Sequence, residues 1–129
     1  MRGRGLRVVL LAVPAAVLLA GASIAVYNRA NFGTFYTTGA PPKITYCGRE
    51  YVLSDPPGID TLAHVSAFLA ANGQNGLTRI GSTPSGLPIV ANVMSAEMKA
   101  SLSTNVCTME VWVQTAPDRY VAYGLSGGP

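Results

Sequence analysis

Charge is scarce in this 129-residue chain: Asp, Glu, Lys and Arg make up 12% of it, for a formal net charge of +3. Arg2, Arg4 and Arg7 account for the whole excess. Beyond residue 26, Arg29, Lys43, Arg49, Arg79, Lys99 and Arg119 balance Glu50, Asp55, Asp60, Glu97, Glu110 and Asp118. Binding nucleic acid through counterion release needs Lys and Arg clustered on one face, and a neutral body excludes that class. Histidine occurs once, as His64. Asp60 precedes it by four residues, a spacing that places both on one helix face as general-base work or two-point metal binding would require. Two ligands do not make a metal site, however, and no G-x-S-x-G elbow presents a serine to complete a triad. A glycine-rich phosphate loop is missing, and the six acids are scattered rather than paired as a carboxylate hydrolase requires. The sequence therefore predicts no catalytic residue, no metal and no cofactor. His64 reads instead as a surface or partly buried histidine beside a helix-capping Asp60.

Against this poverty of charge stands one long apolar run. Residues 8–26, VVLLAVPAAVLLAGASIAV, carry no charge and follow three arginines. A helix of that length spans about 28 Å, close to the roughly 30 Å hydrocarbon core of a bilayer. Positive charge stays on the cytoplasmic side, so the expected topology is single-pass, N-terminus cytoplasmic and C-terminal body extracytoplasmic. The competing reading is a signal peptide cleaved at the A-x-A pattern of Ala20 and Ala22, which would secrete the body. The anchor is preferred because the run continues through Ile24, Ala25 and Val26, past the cleavage site. Pro14 would kink a membrane helix and is equally at home in a signal peptide. Small residues recur at four-residue spacing in Ala12, Ala16 and Ala20 and in Gly21 and Ala25, a stripe that would let a second membrane helix approach closely.

Cysteine is equally sparse, with only Cys47 and Cys107, both on the side expected to be exported. An even count in a small exported domain predicts a disulfide. A redox pair or two metal ligands would need C-x-x-C spacing or a neighbouring histidine, and neither is present.

Three segments follow: an anchor or signal peptide at 1–26, a linker at 27–43, and one extracytoplasmic domain at 44–129, long enough for a single core. In the linker, Tyr27, Phe32, Phe35 and Tyr36 suit an aromatic belt at the membrane interface or anchors packing into the domain; the belt is favoured because Tyr27 abuts the apolar run. In the domain, ITYCGREYVL reads as a hairpin turning at Gly48-Arg49, and Asp60 caps a helix from Thr61 to Ala71 that stops at Gly73. Two strands follow at Leu77–Ser82 and Leu87–Val93; Pro88 places the second at a sheet edge or demotes it. Ser95 caps a short helix. Val106–Gln114 alternates as a half-buried strand and turns at Pro117-Asp118 into the last strand, Tyr120–Leu125. The order ββ-α-ββ-α-ββ predicts an α+β fold with a largely antiparallel sheet.

Trp112 falls on the polar side of its strand. It is either a binding anchor, with Tyr46, Tyr51, Tyr120 and Tyr123 completing an aromatic surface, or a core residue beneath a helix.

The cluster Tyr46-Cys47-Gly48-Arg49-x-Tyr51, the second cysteine ahead of Trp112-Val113, and the ending Tyr123-Gly124-Leu125-Ser126-Gly127-Gly128-Pro129 resemble small exported or membrane-anchored proteins of high-GC actinobacteria. The resemblance covers Pro41–Pro129 and implies no activity. The expected function is that of a non-enzymatic, membrane-anchored accessory or interaction protein, held in the lipid bilayer and partnered with a larger membrane or envelope complex. The alternative is a secreted binding module for a cell-envelope glycan or a small apolar ligand.

Overall fold

The computed structural model describes residues 2–35, 39–74, 76–102 and 107–127, without the side chains of residues 2–8. Tyr36, Val106, Gly128 and Pro129, which entered the expectations above, lie outside the described residues, as do the side chains of Arg2, Arg4 and Arg7.

The first helix, α1 (Arg2–Phe32), contains Pro14 and includes a 24-residue segment, Val9–Phe32, long enough and apolar enough over most of its length to cross a membrane. It does not end with the apolar run. Ala30, Arg29 and Asn31 continue it to Phe32, and Gly33 ends it with φ +76°. The Gly33 N–H donates to the Arg29 carbonyl (3.1 Å), and the Arg29 guanidinium closes on the Gly33 carbonyl. A Cβ at Gly33 would stand 3.1 Å from the Lys43 side chain and 3.2 Å from Pro42. Both the left-handed backbone and the close approach therefore require glycine.

Among the described residues, seven antiparallel strands form one sheet. β1 (Lys43–Tyr46), β2 (Arg49–Leu53), β4 (Thr78–Ser82), β5 (Pro88–Ala91), β6 (Glu110–Ala116) and β7 (Arg119–Leu125) lie in the order β1-β2-β7-β6-β5-β4, with the two-residue β3 (Ile59–Asp60) paired to β7. Helices α2 (Leu62–Ala71) and α3 (Ala96–Ser101) complete the α+β fold. The sheet curls about one apolar cluster containing Ile44, Tyr51, Ile89, Val111, Val113 and Tyr123. Phe32 at the tip of α1 belongs to that cluster and is 7% exposed. A second cluster, Val65, Leu69, Trp112 and Tyr120, fills the space between α2 and the opposite face of β6 and β7. Thus β6 is buried on both faces, where the sequence predicts a half-buried strand; the helix supplies the cover.

Local differences have local causes. The β1–β2 turn centres on Cys47 (φ 56°) and Gly48 (φ 70°), one residue earlier than expected. Pairing Ile44 with Tyr51 on the core face dictates that register, since a slip by one would turn both outward. Two positive φ values make the primed turn that matches strand twist. Pro88 opens an interior strand, with β4 at the edge. It pairs with Ser82 of β4, while the ladder to β6 runs through Ile89 and Val90, so no missing N–H is felt. The cap of α2 is Thr61, whose hydroxyl accepts the His64 N–H (3.2 Å), and Asp118 Oδ1 from the β6–β7 turn accepts the Leu62 N–H (2.8 Å). Asp60 is unavailable as a cap because it is drawn into β3. At the other end, Gln74 N–H to Leu69 O (2.9 Å) and Gly73 N–H to Ala70 O (3.1 Å), with Gly73 at φ 67°, form a Schellman stop at the expected glycine.

Two tyrosines tie the loops to this core. The Tyr123 hydroxyl donates to the Pro41 carbonyl (2.7 Å) and the Tyr51 hydroxyl to the Thr108 carbonyl (2.6 Å); both side chains are fully buried. Tyr123→Phe strands the Pro41 carbonyl without its donor and is expected to cost about 1–3 kcal/mol of unfolding free energy. Urea titration would show this as a lower midpoint with an unchanged slope.

Candidate functional site

The aromatic residues singled out from the sequence do not form one exposed surface. Tyr51 and Tyr123 point into the cluster inside the curl, with half-buried Tyr46 packed against it, whereas Trp112 and Tyr120 lie on the opposite face beneath α2. Trp112 is 2% exposed, with the Phe68 ring edge-on at 6.3 Å. Burial pushes the ionisation of both Tyr51 and Tyr123 upward, for Tyr51 with a further push from neighbouring Tyr46 and a smaller opposing pull from Arg49. Those two hydroxyls act as fixed donors and not as acids.

The other pair the sequence offered does meet. His64 Nδ1 lies 2.5 Å from Asp60 Oδ1, with the imidazole largely exposed and the carboxylate mostly covered. Both stand at one end of a cleft of about 220 Å³ between α2 and β6, whose other walls are Val65, Phe68, Glu110, Trp112 and Ala122. A second cleft of about 230 Å³ adjoins it along the same helix, shares Phe68, Glu110 and Trp112, and ends at Met109 and Asn72. Glu110 is the residue sequence reasoning left out. Alternation placed it on the Trp112 face, but its approach to Asp60, fifty positions away, depends on β3 and β6 both pairing with β7. Burial, and secondarily the Asp60 charge, raises the Glu110 carboxyl above the ordinary carboxylate range. Among the described residues no group of three or more His, Cys, Asp or Glu side chains is placed to hold a metal ion.

Cys47 and Cys107 form a disulfide across a separation of 60 residues, joining the β1–β2 turn to the chain entering β6. The bond lines a third cleft, of about 160 Å³, with Lys99, Met94 and Met109. On α1, Ala12, Ala16, Ala20 and Gly21 are exposed and Ala25 is half-buried; the apolar window of the helix buries nothing within the molecule. Of the linker aromatics, Phe32 packs into the domain while Tyr27 and Phe35 are exposed, 61% and 55%, with Arg29 over the Phe35 ring at 5.9 Å.

No protein-family model matches the chain, and comparisons with curated proteins and with solved structures find no significant match. The class is therefore defined by the molecule itself: a helix apolar and long enough to serve as a membrane anchor or export signal, continuous with a small disulfide-bonded α+β domain. The disulfide fits an extracytoplasmic domain.

Proposed function

We propose that this chain is a non-enzymatic accessory protein, anchored by α1 with its N-terminus in the cytoplasm, whose extracytoplasmic domain packs on a larger membrane or envelope complex. The observation that carries the reading is the insertion of Phe32, the last residue of α1, into the core of the domain. Twenty helical residues from Val8 to Tyr27 span about 30 Å, the thickness of the hydrocarbon core. That leaves Asn28–Phe32, about 7 Å of helix, for the headgroup layer. The domain then sits on the outer surface without a flexible stalk. Asn28 is buried and its amide donates to the Phe35 carbonyl (3.0 Å), which stiffens the junction. A domain mounted rigidly on its anchor presents one fixed face to neighbours in the membrane, as an accessory subunit must, and a cleavable leader has no need of a core contact at its end.

The test is to purify a carboxy-terminally tagged chain in mild detergent and to read its intact mass and its migration on a native gel. The expected outcome is an uncleaved chain travelling in an assembly larger than its own micelle. An uncleaved chain that migrates alone sinks the accessory role. Recovery from the medium of a chain beginning at Ser23 favours the alternative, a secreted binding module, for which the clefts between α2 and β6 are the supporting observation.

A further inference from the structure

We propose that the paired clefts between α2 and β6 bind a small organic cation, an apolar body carrying one ammonium group, with the body against Phe68, Met109 and Trp112 and the ammonium between Asp60 and Glu110. The inference concerns residues 60–122 alone and holds whether α1 anchors the chain or is removed from it.

Three observations converge on it. The first is shape. Each cleft is smaller than the roughly 300–1,000 Å³ that accommodates a drug-sized ligand, and the two share Phe68, Glu110 and Trp112, so the space suits a short, narrow molecule lying along the helix. The second is lining. Phe68 is 44% exposed and Met109 65% exposed, a large share for such apolar side chains, and both border the clefts instead of joining either core cluster. Trp112, 2% exposed, backs both clefts as part of their apolar floor.

The third is charge. Asp60 and Glu110 face the first cleft, and among the described residues no Lys or Arg lines either one. His64 lines the first cleft as well, and its Nδ1 is taken by Asp60. Glu110 is half-buried and its carboxylate makes no hydrogen bond to a described residue, while its backbone carbonyl accepts from the Thr108 hydroxyl (3.0 Å). A carboxylate partly withdrawn from water with no cation beside it is destabilised, and that penalty is relieved when a ligand brings the missing positive charge. An anion would meet the wrong potential here.

Trp112 is the only tryptophan in the chain, so its emission reports directly on the clefts. The experiment titrates n-butylammonium, and separately its neutral isostere 1-butanol, into the full chain in nonionic detergent at neutral pH. The expected result is a saturable change in Trp112 emission with the amine and a weaker, linear one with the alcohol. In Glu110→Gln the apparent dissociation constant for the amine should rise about tenfold, the loss that follows removal of one charge-assisted contact. Asp60→Asn should act in the same direction and serves as the second variant should Glu110→Gln fold poorly; an unchanged thermal midpoint certifies either. Equal responses to amine and alcohol, no saturable response to the amine, or undiminished binding in both variants overturns the proposal.

Discussion

Opening the Cys47–Cys107 bond is expected to lower the unfolding free energy of the domain by about 4 kcal/mol, whether by reductant or by the paired change Cys47→Ser with Cys107→Ser. The bond closes a loop across 60 residues, which contains the four strands from β2 to β5 and both helices of the domain. Cross-linking such a loop removes chain entropy from the unfolded state, and the magnitude follows from the loop length. For a domain of this size a loss of that order moves the thermal midpoint down by on the order of 20 °C. The origin in the unfolded state supplies a second signature. An unfolded chain freed of its cross-link is more expanded, so the denaturant slope should steepen as the midpoint falls. Cys47 is exposed at its turn, so the bond is open to a soluble reductant before global unfolding. A loss below about 1 kcal/mol would mean that the native state is strained by the bond enough to offset the entropy.

Trp112→Ala is expected to cost about 3–5 kcal/mol, through a mechanism that acts on the folded state instead. Helix α2 is held to the sheet by Val65 and Leu69 resting on Trp112 and Tyr120, with Phe68 against the indole edge. Removing the indole empties the middle of that small cluster, against which the partly buried Leu77, Val90 and Ala122 also pack. Thermal unfolding followed by circular dichroism would register the loss. Hydrogen exchange would locate it, with the amides of α2 losing protection before those of β6 and β7, which remain packed on their other face by Val111, Val113 and Tyr123. Trp112→Phe, which keeps much of the volume, should recover most of the stability. A change of under 1 kcal/mol in Trp112→Ala would contradict the burial on which this account rests.

The same residue shows how far the sequence could be read. Alternation assigned Trp112 to the face opposite Val111 and Val113, and the structure keeps that assignment. Alternation says nothing of whether a face is covered, because cover arrives from an element some forty positions away. Phe32 is a second case. Its neighbours Gly33, Thr34, Pro41 and Pro42 suggested a linker by composition, yet the helix persists to Phe32 because nothing before Gly33 breaks it, and the benzyl group then finds Ile44 and its cluster. The two-residue β3 had no periodicity to betray it: Ile59–Asp60 pairs with β7 only because β7 is already in place. That pairing moves Asp60 from a helix cap to a partner of His64 and brings it toward Glu110, so the composition of the cleft was beyond reach of any window along the chain.

What the sequence determined on its own is what local physics controls. The uncharged run behind Arg2, Arg4 and Arg7 makes a membrane-length helix. Gly73 stops α2, Ser95 caps α3, Pro117-Asp118 turns the last hairpin, and two cysteines in an otherwise cysteine-free chain form the disulfide. Each depends on residues within a turn or two of one another, or on there being a single possible partner. The tertiary structure alone decided the strand order, the interior place of Pro88, the cover over Trp112 and the meeting of Asp60, His64 and Glu110. Those depend on which distant segments exclude water from one another, a property of the assembled sheet and not of any stretch of chain.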